Sequence, residues 1–356
     1  MIYMKKTKRL HAALTLLLLA VVAAILYAIE GNASSYVLRI ARLCAINMVL
    51  ALSMNLINGF TGLFSLGHAG FMAIGAYTTA LLTIPAAKKQ VLFMIQPLIS
   101  PLDRLTLPFG VTLIIGGLLA AGLAFLIGLP VLRLRGDYLA IATMGFSEII
   151  RVLITNMQGV TNGAQGLKSI PGSANIWWCY GVALIVILFI ALLTSSSYGT
   201  ALKAIREDQI AAESMGVSLY FHKMLAFMLS AFIAAVGGGL LASYNGTIGP
   251  DMFRVAQTYN VLMIVVMGGM GSITGSIAGA FIVTIGQEYL RVLDGPINLG
   301  FWSTDGISGM RMVVFSAILL LIIVFFRNGL FGTKELSWSA IGRRLRKMSG
   351  HGEVKG

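Results

Sequence analysis

Apolar residues fall into ten runs, near 10–29, 37–58, 66–84, 107–130, 138–156, 176–195, 223–245, 256–271, 274–291 and 310–327. Short polar stretches separate them. A hydrocarbon core takes about 20 apolar residues per helix, so each run predicts one membrane crossing. The predicted fold class is all-α, a polytopic membrane protein of about ten transmembrane helices. The third, fifth, eighth and ninth runs are short or interrupted by glycine. This divides the chain into a basic segment 1–9, a membrane domain 10–327 that includes a long polar loop at 196–223, and a basic tail 328–356.

Composition agrees with this pattern. The chain of 356 residues is 57% hydrophobic and 11% charged, against roughly 25% charged residues in a soluble domain. The net charge of +13 does not point to nucleic acid, because the basic residues cluster between apolar runs. Placing the N-terminus in the cytoplasm puts sixteen Lys and Arg in segments 1–9, 131–137, 196–223 and 327–356. The segments on the other side, 30–36, 85–106, 157–175, 246–255 and 292–309, then hold five. This asymmetry fits an even number of crossings and cytoplasmic termini. Arg343, Arg344, Arg346 and Lys347 then read as an anchor to anionic lipid. The basic start Lys5–Arg9 and the apolar run behind it read as an uncleaved first helix rather than a signal peptide.

Residues 59–77 carry Gly59, Gly62, Gly67 and Gly70 beside a lone His68. Soluble helices avoid such density, because each glycine costs about 0.5–1 kcal/mol relative to alanine. Membrane helices use it to bring backbones close. The stretch predicts a broken helix, and residues 268–279 echo it: Gly59-x-x-Gly62 matches Gly268-x-x-Gly271. A second echo pairs Glu148-x-x-Arg151-Val-Leu with Glu288-x-x-Arg291-Val-Leu. Both suggest an internal repeat, with binding at the breaks. Gly271, Gly275 and Gly279 form a small-x-x-x-small ridge for helix packing.

The loop at 196–223 predicts one amphipathic helix over Thr200–Met215, with Ile205, Ala212 and Met215 as its apolar stripe. It reads either as a surface connector or as a docking helix. Ala211-Ala212-x-x-x-Gly216 favours docking, since two small residues before a helix-ending glycine make a knob. A bulky charge at Ala212 is then expected to abolish coupling.

Little in the chain points to catalysis. Gly62-x-x-x-x-Gly67 has the spacing of a phosphate-binding loop, but His68-Ala69 stands where Lys-Ser/Thr is required. His11, His68, His222 and His351 are scattered, and Cys44 and Cys179 lie in apolar segments as structural thiols. The chain calls for no metal and no cofactor. His68 reads as a partner for backbone groups freed by the glycines, or as a gate or ligand. Glu148–Arg151 and Glu288–Arg291 read as i,i+3 pairs that neutralise each other. Their alternative role is to line the path of a zwitterion.

Four blocks in order, Gly62–Tyr77, Leu134–Arg151, Thr161–Leu167 and Gly199–Gly216, resemble the permeases of branched-chain amino acid ABC importers, most closely the LivM type. The resemblance covers roughly residues 40–325. It implies a bacterial inner-membrane permease subunit that does not itself hydrolyse ATP. Its implied partners are a second related permease, two cytoplasmic ATPase subunits and an extracytoplasmic binding protein that delivers leucine, isoleucine or valine. It also implies that Arg206, Glu207, Asp208, Ala211, Ala212 and Gly216 contact the ATPase, although Ile210 stands where the general importer pattern has glutamate. The candidate pathway residues are Gly62, Ser65, Gly67, His68, Gly70, Glu148, Arg151, Gly268, Gly271, Glu288 and Arg291. Related permeases carry urea and short amides. A self-sufficient secondary transporter is the rival from another class.

Overall fold

The structure is a computed structural model that describes residues 20–31, 33–93, 96–134, 136–291, 297–298, 303–304, 309–325, 329–330 and 332. The basic segment 1–9, the first half of the first predicted crossing and all of the basic tail but residues 329–330 and 332 lie outside the described residues. The chain divides into two compact units. The described part of the first (Met1–Arg39 and Lys334–Gly356) is helix α1 (Ala20–Gly31) and the first residues of α2 (Ser35–Met54).

The second unit, Ile40–Thr333, holds the rest. Helix α2 runs into a π-helical turn, Asn55–Phe60. It is followed by α3 (His68–Thr83), α4 (Ala86–Leu92), α5 (Phe109–Val131), α6 (Asp137–Asn156) and the one-turn α7 (Gln158–Thr161). Then come α8 (Ile176–Ser195), α9 (Ser197–Glu207), α10 (Gln209–Ser214) and α11 (Leu219–Asn245). The series ends with α12 (Val255–Gly268), α13 (Ile273–Tyr289) and α14 (Met310–Phe325). A two-residue antiparallel ladder pairs Ile297–Asn298 with Ser303–Thr304.

Five helices have the length and apolarity of a crossing: α2 with its π turn, α5, α6, α8 and α11. Two helix pairs, α3 with α4 and α12 with α13, meet that test together but bend by 116° and 119° at short breaks. Among the described residues this makes five to seven candidate spans. The eighth and ninth predicted crossings are thus the two arms of one sharply bent pair. The chain is an all-α polytopic membrane protein, and its burial pattern shows which helices are central. α2 and α11 are about three-quarters enclosed by protein, whereas about a third or less of α5, α6 and α8 is buried. The outward faces of these three carry Ile114, Leu118, Ile141, Leu153, Ile185 and Leu192, a surface suited to lipid rather than water.

Glycine brings the central helices into contact. A side chain at Gly75 of α3 would overlap the Ala235 backbone of α11, and one at Gly238 of α11 would overlap Met72 of α3. Gly116 of α5 faces Gly75. The α12–α13 pair closes in the same way, with Gly268 against Gly275 and Gly279 against Ile264. Gly275 and Gly279 therefore belong to the predicted ridge. Gly271 has a different role, at the break itself.

Candidate functional site

The two glycine motifs meet. Gly59 lies in the π turn, and a side chain there would come within 2.5 Å of the Gly271 backbone nitrogen. In each motif the first glycine sits in a last helical turn. The second takes a left-handed backbone, with φ of +71° at Gly62 and +82° at Gly271, a conformation that only glycine adopts at low cost.

Asn55 joins the motifs. Its side chain is fully buried and spends both amide hydrogens and its oxygen on the second break. Nδ2 donates to the Ser272 carbonyl at 2.9 Å and to Ser276 Oγ at 2.8 Å, while Oδ1 accepts from the Gly271 N–H at 2.8 Å. Ser272 in turn caps α13 by accepting from the Gly275 N–H. A buried break leaves backbone groups with no water to bond, so they must be satisfied by protein.

The same rule explains residues 61–69. Asn58 clamps Ser65 through both its amide nitrogen and oxygen. The N–H groups at the start of α3 are met by other helices: Leu66 donates to Thr143 Oγ1 of α6, and Ala69 to Thr258 Oγ1 of α12, each at 3.0 Å. His68 opens α3 and is buried. Its Nε2 lies 2.6 Å from Ser53 Oγ, and that hydroxyl donates to the Leu50 carbonyl. The His68 ring is thus tied to a serine that is itself held to the backbone. Gly67 and Gly70 let α3 sit directly on Thr143 and Ser147 of α6.

Arg206, near the end of α9, reaches the same joint. Its Nη1 donates to the Gly59 carbonyl at 3.1 Å and lies 2.6 Å from where a Gly271 side chain would begin. Its stem lies against Gly62, where a side chain would come within 2.7 Å of Cγ. Glu207 holds the other face of the guanidinium at 2.6 Å. Beneath it, Leu202 of α9 packs with Leu56 of the π turn and Ala226 of α11 in a separate small apolar cluster. The loop helix is thus bound to the breaks.

The loop differs from the single predicted helix. Backbone extension at Asp208 divides it into α9 and α10, and Asp208 caps α10 by accepting from the N–H groups of Ile210 and Ala211. Gly216, with φ +85°, ends it: Gly216 N–H bonds the Glu213 carbonyl and Val217 N–H bonds Ala212, a glycine-terminated C-cap. Ala212 is 4% exposed and, like Ile205, buried, so it is not a free knob. Met215 is 85% exposed and leaves the predicted stripe. Ile210, in the first turn of α10, is also exposed, at 74%.

The charged pairs form as expected. Arg151 Nε donates to Glu148 Oε1 at 2.8 Å, and Arg291 Nη1 to Glu288 Oε1 at 3.0 Å. Arg151 also stands 4.0 Å from Asp251, which holds Arg254 at 2.6 Å. The two pairs are not brought to one site. Near Arg151, the motif Thr161–Leu167 turns through a left-handed Asn162, whose amide bonds the Gly166 carbonyl. Leu167 then pairs with Ile248. Asn55, Ser53, Thr143, Thr258, Ser276 and Asp251 were not singled out from the sequence. Polar residues inside apolar runs were the signal that could have found the first five.

Among the described residues no three His, Cys, Asp or Glu side chains are grouped to hold a metal. No solved structure matches the chain. It is 36% identical to the LivM permease protein of the high-affinity branched-chain amino acid transport system of Escherichia coli, over 71% of this chain and 63% of that protein. It thus spans under two-thirds of that relative's length. It is 24% identical to a probable LivM permease of Methanocaldococcus jannaschii, over 67% and 73% of the two chains. To the LivH permease of the Escherichia coli system it is 23% identical, over 81% and 92%. Residues 36–324 match the family described as branched-chain amino acid transport system permease component, and the chain belongs to that family.

Proposed function

We propose that this chain is the membrane-spanning permease subunit of an ABC importer for leucine, isoleucine and valine. It provides half of the pathway beside a second, related permease in a bacterial inner membrane, with both termini in the cytoplasm. Two cytoplasmic ATPase subunits supply the power, and an extracytoplasmic binding protein delivers the substrate. The observation that carries this reading is Arg206. One side chain links the loop helix α9 to the carbonyl of Gly59 and to the turn at Gly271. ATP-driven movement of an ATPase gripping α10 passes through α9 and Arg206 into both breaks. The α2 and α12–α13 ends then rearrange and switch access from outside to inside.

The test is Arg206→Ala in the complete transporter. Assembly and ATP hydrolysis are expected to persist while leucine uptake falls on the order of tenfold, a loss equal to about 1.4 kcal/mol of coupling. Unchanged uptake overturns the coupling route. Ion-driven uptake by the purified chain alone overturns the ABC reading in favour of a self-sufficient transporter. Uptake of urea in place of leucine overturns the substrate.

A further inference from the structure

A cleft of about 350 Å³ opens among α2, α12, α13 and α14. Its lining combines polar side chains (Asn260, Thr284, Gln287, Glu288 and Ser316) with the apolar Leu43, Met263 and Phe315. We infer that this cleft binds the substrate, taking the zwitterionic head of an amino acid on its polar side chains and an aliphatic side chain on its apolar ones. The inference rests on the proposed function and deepens it by placing the substrate.

Three observations carry it. Polar and ionisable side chains are costly inside membrane spans, and where they occur they face a cavity or pathway. Five of the eight side chains lining this cleft are polar. Their chemistry also matches both ends of a zwitterion. The Glu288 carboxylate gives Arg291 one bond and has acceptor capacity left for an ammonium. The amides of Asn260 and Gln287 and the Ser316 hydroxyl can donate to a carboxylate. Thr284 is held in place by Asn47, whose Nδ2 donates to it at 2.7 Å. Finally, the size lies within the roughly 300–1,000 Å³ of small-molecule pockets. The sequence treats Glu148 and Glu288 as equivalents, but the structure parts them: Glu288 lines this cleft, while Glu148 accepts from Arg151, which itself stands 4.0 Å from Asp251.

The experiment reads protection of a thiol in the complete transporter in lipid vesicles. Cys44 and Cys179 are buried; both are changed to alanine, and Ser316→Cys is added. Modification by a small thiol reagent is then timed. Leucine at about ten times its dissociation constant is expected to slow modification about tenfold, by mass action. The deaminated analogue 4-methylpentanoate is expected to protect little, and Glu288→Gln to remove leucine protection while the protein still inserts. Unaltered modification in a transporter that imports leucine overturns the cleft as the site and leaves the permease reading intact. Equal protection by 4-methylpentanoate and leucine also overturns it, since the cleft would then hold any apolar chain, including lipid. A wild-type transporter that imports no branched-chain amino acid overturns the permease reading first, a failure visible without any labelling.

Discussion

At the scale of single residues, burial turns hydrogen bonds into constraints. Asn55 makes three, all to the segment 271–276. Side-chain hydrogen bonds in membranes contribute about 0.6 kcal/mol each on average, so what matters more is what removal leaves behind. Asn55→Ala strands the buried Gly271 N–H without a partner, whereas the Ser272 carbonyl keeps its bonds from the Ser276 N–H and hydroxyl. The expected cost is about 1–3 kcal/mol, visible as a lower thermal unfolding temperature in detergent. Ser53→Ala frees only His68 Nε2 and the Ser53 share of the Leu50 carbonyl, so a smaller loss is expected. Gly62→Val acts by a different route, because it combines a left-handed backbone with a clash on Arg206. Uptake is expected to fall further than stability does, which paired uptake and unfolding measurements check. The sequence made Gly62 and His68 legible through their unusual company. It hid Asn55, because one asparagine in an apolar run announces a buried polar site without naming its partner 216 residues away.

At the scale of elements, the loop shows how far a local pattern reaches. Helix-forming residues and the absence of proline between Thr200 and Met215 predict a helix, and both α9 and α10 are helical. The pattern did not reveal the elbow at Asp208. An aspartate is tolerated in a helix interior, but its oxygen bonds the next turn's N–H groups better as a cap. Tertiary contacts choose between these: Leu202 must reach Leu56 and Ala226. Once the chain bends there, Ala212 turns inward and Met215 outward. The docking test therefore moves. A charge at Ala212 would disrupt the loop's own packing, whereas Ile210→Asp with Met215→Asp changes only exposed apolar surface. The double variant is expected to unfold at the wild-type temperature, yet to lose most of the ATPase bound to the permease on purification. Co-purification in wild-type amounts counts against α10 as the grip. The broken helices were legible from glycine density. That α12 and α13 would fold on each other was not, because two short apolar runs look alike whether they cross the bilayer twice or bend inside it.

At the scale of the whole molecule, the account depends on which ends of the helices lie together. The loop 157–170 is fastened to 246–249 through the Leu167–Ile248 pair and the Ile170 N–H to the Gly246 carbonyl. Arg151 approaches Asp251 at that same end. Helix α8, of 20 residues, separates this end from the α9–α10 loop. At 1.5 Å per residue that is about 30 Å, the thickness of a hydrocarbon core. Lys168 and Lys203 are both exposed, and with α8 crossing the membrane as proposed they would stand on opposite faces. The orientation proposed from the Lys and Arg asymmetry has Lys203 inside, and Arg206, three residues on, has to be inside for an ATPase to act through it. Lys168→Cys is expected to react with a membrane-impermeant maleimide on intact cells, and Lys203→Cys only after permeabilisation. Reaction of Lys203→Cys from outside would place the Arg206 link beyond the reach of any cytoplasmic ATPase. The joint between the two glycine breaks would still stand as structure, but no engine could drive it by the route proposed.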